Sequence, residues 1–453
     1  MKKVLLTALA LVVSLSVYSF AAAPAAKQTA TPAKQTQTAP AAKQAVAVPV
    51  SSDSGCSTLK FYGEGSIIGF SVSNEVPRGG GFRGNYGGTV GFFTLGSKIK
   101  IDENVFAKIA LGYENYWGDK IFEGRTANEL LDLLRIVEAN INIKNLFEVE
   151  GLSAKLGRQY YGDEDSTILY IGIRRNNPLF AFNVPMIPVS GIPSFISSLD
   201  AATFYFKKDN IKANAVYGIF ANNTFALSPD KTNGTLRGID LKCSDLADNK
   251  IDIQAYLYNA EEVPIFTHKQ YTIFGLKPTV KVEDLKASLE FAKNFGGKWV
   301  FEEADGEYSN LIKFDISYNL KDVGLTPRAM YFVFGSANKD QNTSKGFLTL
   351  GNYVPGLVKG NEVMDLDNMQ IINIGADYKY KKYTFAVDFY SYGMRKSVEK
   401  GRHGYRESEI ALDWKAKYAY TDNVDIFAAI GNFFANKSEY DASTAQVGVS
   451  FKF

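Results

Sequence analysis

Asn310-Leu311-Ile312-Lys313-Phe314-Asp315-Ile316-Ser317-Tyr318-Asn319-Leu320 alternates apolar and polar side chains almost without a break. Leu311, Lys313, Asp315, Ser317 and Asn319 fall on one side, and Ile312, Phe314, Ile316 and Tyr318 on the other. Successive side chains of a strand point to opposite faces, so this stretch is a two-faced ribbon, one face apolar and the other charged. The pattern recurs at 371–380, where Asn373, Gly375, Asp377 and Lys379 oppose Ile372, Ile374, Ala376 and Tyr378. It recurs again at 407–418, where Glu409, Asp413, Lys415 and Lys417 oppose Ile410, Leu412, Trp414 and Tyr418. Strands of soluble sandwiches run about 5–6 residues, whereas a strand tilted across a bilayer needs about 9–11. These runs have the length of the second kind.

The connections sort into two classes. Short turns fall at Asp102-Glu103-Asn104, Asp209-Asn210, Glu283-Asp284, Lys381-Lys382 and Thr421-Asp422-Asn423; long ones fall near 74–86, 118–132, 163–198 and 338–367. Transmembrane β-barrels of bacteria have short periplasmic turns and long outer loops. Counting segments from residue 58 to the end predicts about 18 strands, an even number that closes the sheet and satisfies every backbone group in lipid. The fold class is therefore all-β, a transmembrane antiparallel barrel over 58–453.

The chain has 453 residues, 46% hydrophobic and 13% aromatic, which is ample for one large domain. No run of about 18 apolar residues follows the N-terminus, so no transmembrane helix is expected. Met1 to Ala23 reads as a secretory signal: Lys2 and Lys3, an apolar stretch from Val4 to Val17, then small residues at Ser19-Phe20-Ala21 and Ala21-Ala22-Ala23. Residues 24–57 follow as a linker, almost all Ala, Pro, Lys, Gln, Thr and Val as far as 50, with Ala-Ala-Lys-Gln at 25–28 and 41–44. Such a segment buries too little apolar surface to fold and reads as a periplasmic tether. Residues 1–50 hold five Lys and no acid, which leaves 50 − 5 = 45 bases against 48 acids, or −3, for the rest. That near-balance gives no basic footprint for nucleic acid.

The last residues, Ala445-Gln446-Val447-Gly448-Val449-Ser450-Phe451-Lys452-Phe453, place Val447, Val449, Phe451 and Phe453 on one face. A terminal Phe on an alternating strand is similar to the signal read by the barrel-assembly machinery, so that machinery and outer-membrane lipid are the expected partners. Localisation in the bacterial outer membrane follows.

Short motifs carry a family resemblance. Glu138-Ala139-Asn140-Ile141 is followed by Gly151-Leu152-Ser153-Ala154-Lys155-Leu156-Gly157-Arg158-Gln159-Tyr160-Tyr161-Gly162, which resembles a Leu-Gly-Arg-Gln strand. Leu199-Asp200-Ala201 resembles a Phe-Asp-Gly strand start, and Pro327-Arg328-Ala329 through Ala337-Asn338 resembles a later strand ending in Ala-Ser-Gly-Asp. These stretches resemble the alginate-export porin family, whose members are 18-stranded outer-membrane barrels. Ala201 departs from that Gly, Asn338 departs from that acid, and the lumen charges here are mixed rather than strongly basic. The resemblance implies a solute pore more than any named solute.

The inward faces supply the candidate solute path, because a water-filled barrel has a polar lumen whose charged rings set ion preference. The bases are Lys108, Lys155, Lys207, Lys212, Lys313, Lys379, Lys415 and Lys417, with Arg158 added although it is in phase with Leu156. The acids are Glu138, Asp252, Glu290, Asp315, Asp377, Asp388, Glu409 and Asp413. Ordinarily such residues keep the lumen wet and pair across strands. The segment 163–198 is apolar yet carries four prolines, so it is expected to fold inward and narrow the pore, with Arg174 and Arg175 at the constriction. The bland alternative is a cap packed on the outer loops.

Little else carries chemistry. The only histidines, His268 and His403, fall in expected loops, so no catalytic set is expected. Asp163-Glu164-Asp165 lacks the Gly and distal Glu of a Ca²⁺ loop, and two His with two Cys make no zinc cluster; no metal or cofactor is expected. Cys56 and Cys243 are both expected at the periplasmic rim, where the oxidising compartment permits a disulfide. The expected function is a monomeric porin passing small hydrophilic, anionic or saccharide solutes by diffusion. The alternatives are an alginate-like polysaccharide export channel, and a structural or adhesive barrel without an open pore.

Overall fold

The computed structural model describes residues 58–75, 84–118, 133–164, 166–173, 198–220, 234–261, 270–295, 309–334, 356–357, 369–394, 409–434 and 441–453. The expected signal and linker, Cys56, Arg174, Arg175, His268 and His403 lie outside these residues. The first wall strands are β1 (Leu59–Glu75), β2 (Gly84–Lys100), β3 (Val105–Gly118), β4 (Leu133–Lys144) and β5 (Leu152–Gln159). Two short strands, β6 (Tyr161–Gly162) and β7 (Tyr170–Ile171), pair only with each other. The wall resumes with β8 (Leu199–Lys208), β9 (Ile211–Phe220), β10 (Thr235–Asp245), β11 (Ile251–Glu261), β12 (Gln270–Val282) and β13 (Leu285–Phe295). It finishes with β14 (Ser309–Tyr318), β15 (Leu325–Phe334), β16 (Met369–Tyr380), β17 (Tyr383–Met394), β18 (Glu409–Thr421), β19 (Val424–Phe434) and β20 (Ala442–Lys452).

Each wall strand runs antiparallel to its chain neighbours, and β1 pairs with both β2 and β20, which closes an 18-stranded sheet. The expected count is met. The short connections all gather at one end. There Asp209, Glu283 and Lys381 take positive φ, as two-residue hairpin turns require. The chain end lies there too, since Lys452 N–H donates to the Asn423 carbonyl of a short turn. At the closing seam the rings of Phe451 and Phe453 lie over Gly65 and Gly63. A Cβ at Gly63 would stand 2.5 Å from the Phe453 ring, and one at Gly65 2.7 Å from the Phe451 ring.

The period-two pattern sorts side chains as the ribbons predict. Ile67, Ile109, Leu257, Ile312, Ile374 and Trp414 are exposed on the outer face. That belt, buried in lipid, is what a transmembrane barrel needs. No helix among the described residues is long and apolar enough to cross a membrane. The inner face is divided by height. Toward the short turns it is polar and charged. Toward the long loops it carries a buried apolar collar, with Leu199, Phe220, Ile273, Leu311, Phe334 and Ile371 among its members.

Candidate functional site

The site is the lumen, and strand register builds it. Lys207, Lys212 and Lys242 are direct neighbours across β8, β9 and β10, since Lys207 pairs with Lys212 and Lys212 with Lys242. The three ammonium groups form a basic run near the short-turn mouth. Lys207 and Lys212 make no ion pair among the described residues, and Lys242 reaches Asp252 only at 3.9 Å. Lys281 holds Asp252 more closely, at 2.6 Å. Like charges placed side by side repel, so this arrangement contributes a positive field rather than stability.

Farther round, the charges neutralise one another. Arg328 on β15 donates from Nε and Nη2 to the two Asp377 oxygens at 3.0 and 3.3 Å, and from Nη1 to Asp388 Oδ1 at 2.5 Å and Asn373 Oδ1 at 3.2 Å. Lys415 reaches the other Asp388 oxygen at 3.5 Å. Lys417 pairs with Asp425, Lys108 with Glu138 and Lys277 with Glu290, at 3.3, 3.8 and 4.0 Å. The Tyr62 hydroxyl donates to Glu138 Oε2 at 2.8 Å, and the Lys155 ammonium reaches the Tyr160 carbonyl at 3.3 Å. Lys379 is exposed on the inner face of β16, and Glu409 is buried on that of β18. Arg328, the hub of this network, had no place among the candidates. Its motif Pro327-Arg328-Ala329 carries the family resemblance, and alternation also puts Arg328 in phase with inward Phe332.

Two segments enter the lumen from the long-loop end. The first follows β5. Ile168, Leu169 and Ile171 pack into the same buried cluster as Leu199, Phe220 and Leu236, and Ile173 is buried as well. Burying each of these side chains stabilises the insertion by about 1.5–3 kcal/mol. Lys313, at mid-height on β14, donates to Thr167 Oγ1 at 3.1 Å and pairs with Asp315 at 3.3 Å. β14 stands seven places round the wall from β5, so residues 166–173 cross the lumen to reach it. Tyr161 lies buried beside Tyr258, and burial raises its phenol above the ordinary range. The second segment is Gly356-Leu357, whose Leu357 N–H donates to Asp413 Oδ2 at 2.8 Å. Nothing in the local sequence distinguishes Leu357 from the rest of its long connection.

One candidate placement changes. Arg158 does not line the pore. It is in register with Ala139 and Asp200, shares the phase of exposed Leu156 and Phe204, and so faces outward. Gly157 at φ +110° does not shift the register, and the phase of Lys155 and Gln159 remains inward. Cys243 is a free, half-buried thiol on β10, in phase with outward Ile239 and Leu241; its proposed partner Cys56 lies outside the described residues. Among the described residues no group of His, Cys, Asp and Glu is arranged to hold a metal ion.

Below Leu357, a cavity of about 780 Å³ opens against β17–β20 and β1, lined by Lys415, Lys417, Asp425, Glu64, Gln446 and Phe427 among others. It contains both signs of charge and an aromatic face, so it can hold a hydrated organic ion.

No family model and no curated protein matches the chain. Solved structures do. A BenF-like porin from Pseudomonas fluorescens is 12% identical, with a TM-score of 0.60 over 88% of this chain and 99% of that one. OccK1 (OpdK) of Pseudomonas aeruginosa is 10% identical, with a TM-score of 0.58 over 87% of this chain and 98% of that one. OccK2 (OpdF) of the same organism, solved in complex with glucuronate, is 11% identical, with a TM-score of 0.57 and the same coverage. The chain has the fold of these porins. At such identities the likeness speaks for architecture, an 18-stranded outer-membrane-type barrel, and the chemistry of this lumen rests on its own residues.

Proposed function

We propose that the chain is a porin of the bacterial outer membrane that passes small hydrophilic anions by diffusion. The observation that carries this reading is the run Lys207–Lys212–Lys242 at the short-turn mouth, where two of three ammonium groups make no ion pair among the described residues. A run of one sign in a narrow passage raises the local concentration of the opposite charge. The fold supports the reading. The neighbour OccK2 was solved with glucuronate and OpdK with vanillate, both carboxylates, and carboxylates are the anion class we assign to this lumen. The terminal face of Val447, Val449, Phe451 and Phe453 is outward on a closing strand, as recognition by the barrel-assembly machinery would need. A monomer without catalytic activity completes the proposal. Export of an alginate-like polysaccharide, implied by the family resemblance, is the weaker variant. A threading polymer needs an unobstructed bore, and residues 166–173 cross this one.

The test is reconstitution in planar bilayers under a potassium chloride gradient. Discrete conductance steps with an anion-side reversal potential are expected. A folded but silent protein would eliminate the pore in favour of a structural or adhesive barrel, and a cation-side potential would eliminate anion preference.

A further inference from the structure

Three buried polar atoms on β18 and β20 have no hydrogen-bond partner among the described residues: Asp413 Oδ1, Thr444 Oγ1 and Gln446 Nε2. Their residues are 0%, 2% and 5% exposed. Burying a polar atom without a partner leaves its desolvation uncompensated, so three together call for an explanation. They are neighbours. Asp413 pairs in register with Gly431, Gly431 with Thr444, and Thr444 and Gln446 are successive inward positions of β20. Gly431 provides the recess between them. A Cβ there would stand 2.8 Å from Asp413 Oδ1, 2.8 Å from Leu357 Cβ and 3.2 Å from Thr444 Cγ2. Leu357 covers the recess with its side chain and satisfies only the second Asp413 oxygen. Gln446 and Leu357 also line the cavity below, on whose wall Lys415 and Lys417 stand.

We propose that Asp413, Thr444 and Gln446 form a hydroxyl-binding subsite at the head of that cavity. A carboxylate oxygen accepts, an amide N–H donates, and a threonine hydroxyl does either. Together they match an alcohol oxygen, which donates one hydrogen bond and accepts others, or a pair of such oxygens on adjacent carbons. They do not match a second carboxylate, which Asp413 would repel. Lys415 and Lys417 are half-exposed and keep ammonium donors beyond their pairs with Asp388 and Asp425; with these donors holding the anionic end of a solute, the subsite selects polyhydroxylated organic anions over unhydroxylated ones of equal length and charge. Leu357 is the group a solute displaces in reaching it. This inference rests on the anion-porin reading and adds the specificity element to it. The hydroxyl could belong to a solute or to an ordered water, and the test separates the two.

The probes are glucarate and adipate, six-carbon dianions that differ by four hydroxyl groups. Bi-ionic reversal potentials of the full chain in planar bilayers give their permeability ratio. The wild type is expected to favour glucarate severalfold. Thr444→Val and Gln446→Met, each nearly isosteric, are expected to bring the ratio toward unity, with folding confirmed by heat-modifiable gel migration. A wild-type ratio near unity in a channel that conducts chloride would overturn the subsite and leave the porin reading standing. A ratio that both variants leave unchanged, with altered unfolding midpoints, would assign the recess to a structural water and also overturn the proposal. A protein that conducts nothing would overturn the porin reading itself.

Discussion

Arg158 and Asp200 form a bidentate ion pair on the outer face of the wall, Nε to Oδ1 and Nη2 to Oδ2 both at 2.8 Å. The arginine belongs to the Leu-Gly-Arg-Gln stretch and the aspartate to the following motif, so two residues that carried the family resemblance meet directly. Exposed Ile136, Leu156, Phe204 and Ile219 surround them. A lone arginine facing the lipid midplane costs about 2–4 kcal/mol, and an acid less. Asp200→Ala is therefore expected to lower stability by about that amount and Arg158→Ala by less. The double change to leucine should recover most of the loss, because a well-packed apolar pair replaces a charged pair at little cost. Urea titration in lipid vesicles, followed by heat-modifiable gel migration, measures this. Single variants that unfold at the wild-type midpoint would show that the pair lies outside the lipid belt.

Gly157 explains the next position of the same stretch. Its φ of +110° suits glycine, and a Cβ there would stand 2.3 Å from the Ala139 carbonyl oxygen. Gln159 then turns inward, and its amide donates to the carbonyls of Lys155, Gly157 and Ala201 at 3.1, 3.1 and 2.8 Å. Gly157→Ala is expected to cost about 1–3 kcal/mol from backbone strain alone, with more from the close approach. The same titration reads it, and an unshifted midpoint would mean that β4 and β5 part easily.

The basic run makes a salt-dependent prediction. Replacing Lys207, Lys212 and Lys242 together by glutamine should move the reversal potential away from the anion side. The shift should be large near 0.1 M salt, where the Debye length is about 10 Å, and nearly vanish at 1 M, where it is about 3 Å. A shift of equal size at both strengths would point to altered pore shape instead of lost charge.

The crossing segment depends on apolar burial. Ile168→Asp combined with Leu169→Asp puts two acids into the apolar collar and should release residues 166–173 from β14. Single-channel conductance is then expected to rise severalfold while the barrel itself stays folded. Conductance equal to the wild type in a folded variant would show that the current bypasses this segment.

How far the sequence reaches depends on which physical signal each feature leaves. Alternation placed Lys313, Asp377, Asp413 and Lys415 on the inner face correctly, because lipid on one side and water on the other impose opposite demands on adjacent residues. Arg158 defeats the inference from charge to lumen, since an acid on the next strand lets a guanidinium face outward. The collar defeats it in the other direction. At Leu311, Ile371 and Ala411 the inner residue is itself apolar, beside outward Ile312, Ile372 and Leu412, so hydropathy no longer tells the faces apart. The inward course of 166–173 was legible because its apolar residues need cover. Leu357 and the unpartnered atoms around Gly431 depend on contacts far apart in the chain and leave no local pattern.

Gly63 and Gly65 lie on the first strand, and Phe451 and Phe453 on the last. A chain emerging N-terminus first has its two notches in place long before the rings that occupy them exist. While β20 is an open edge, its backbone donors and two phenyl rings are unclaimed together, and pairing with β1 claims them together. Completing the ladder and seating the rings therefore join the same two strands. A bulkier residue at 63 or 65 would crowd both joins of the first strand at once, the phenyl ring of the chain end on one side and the Thr94 or Phe92 carbonyl of β2 on the other.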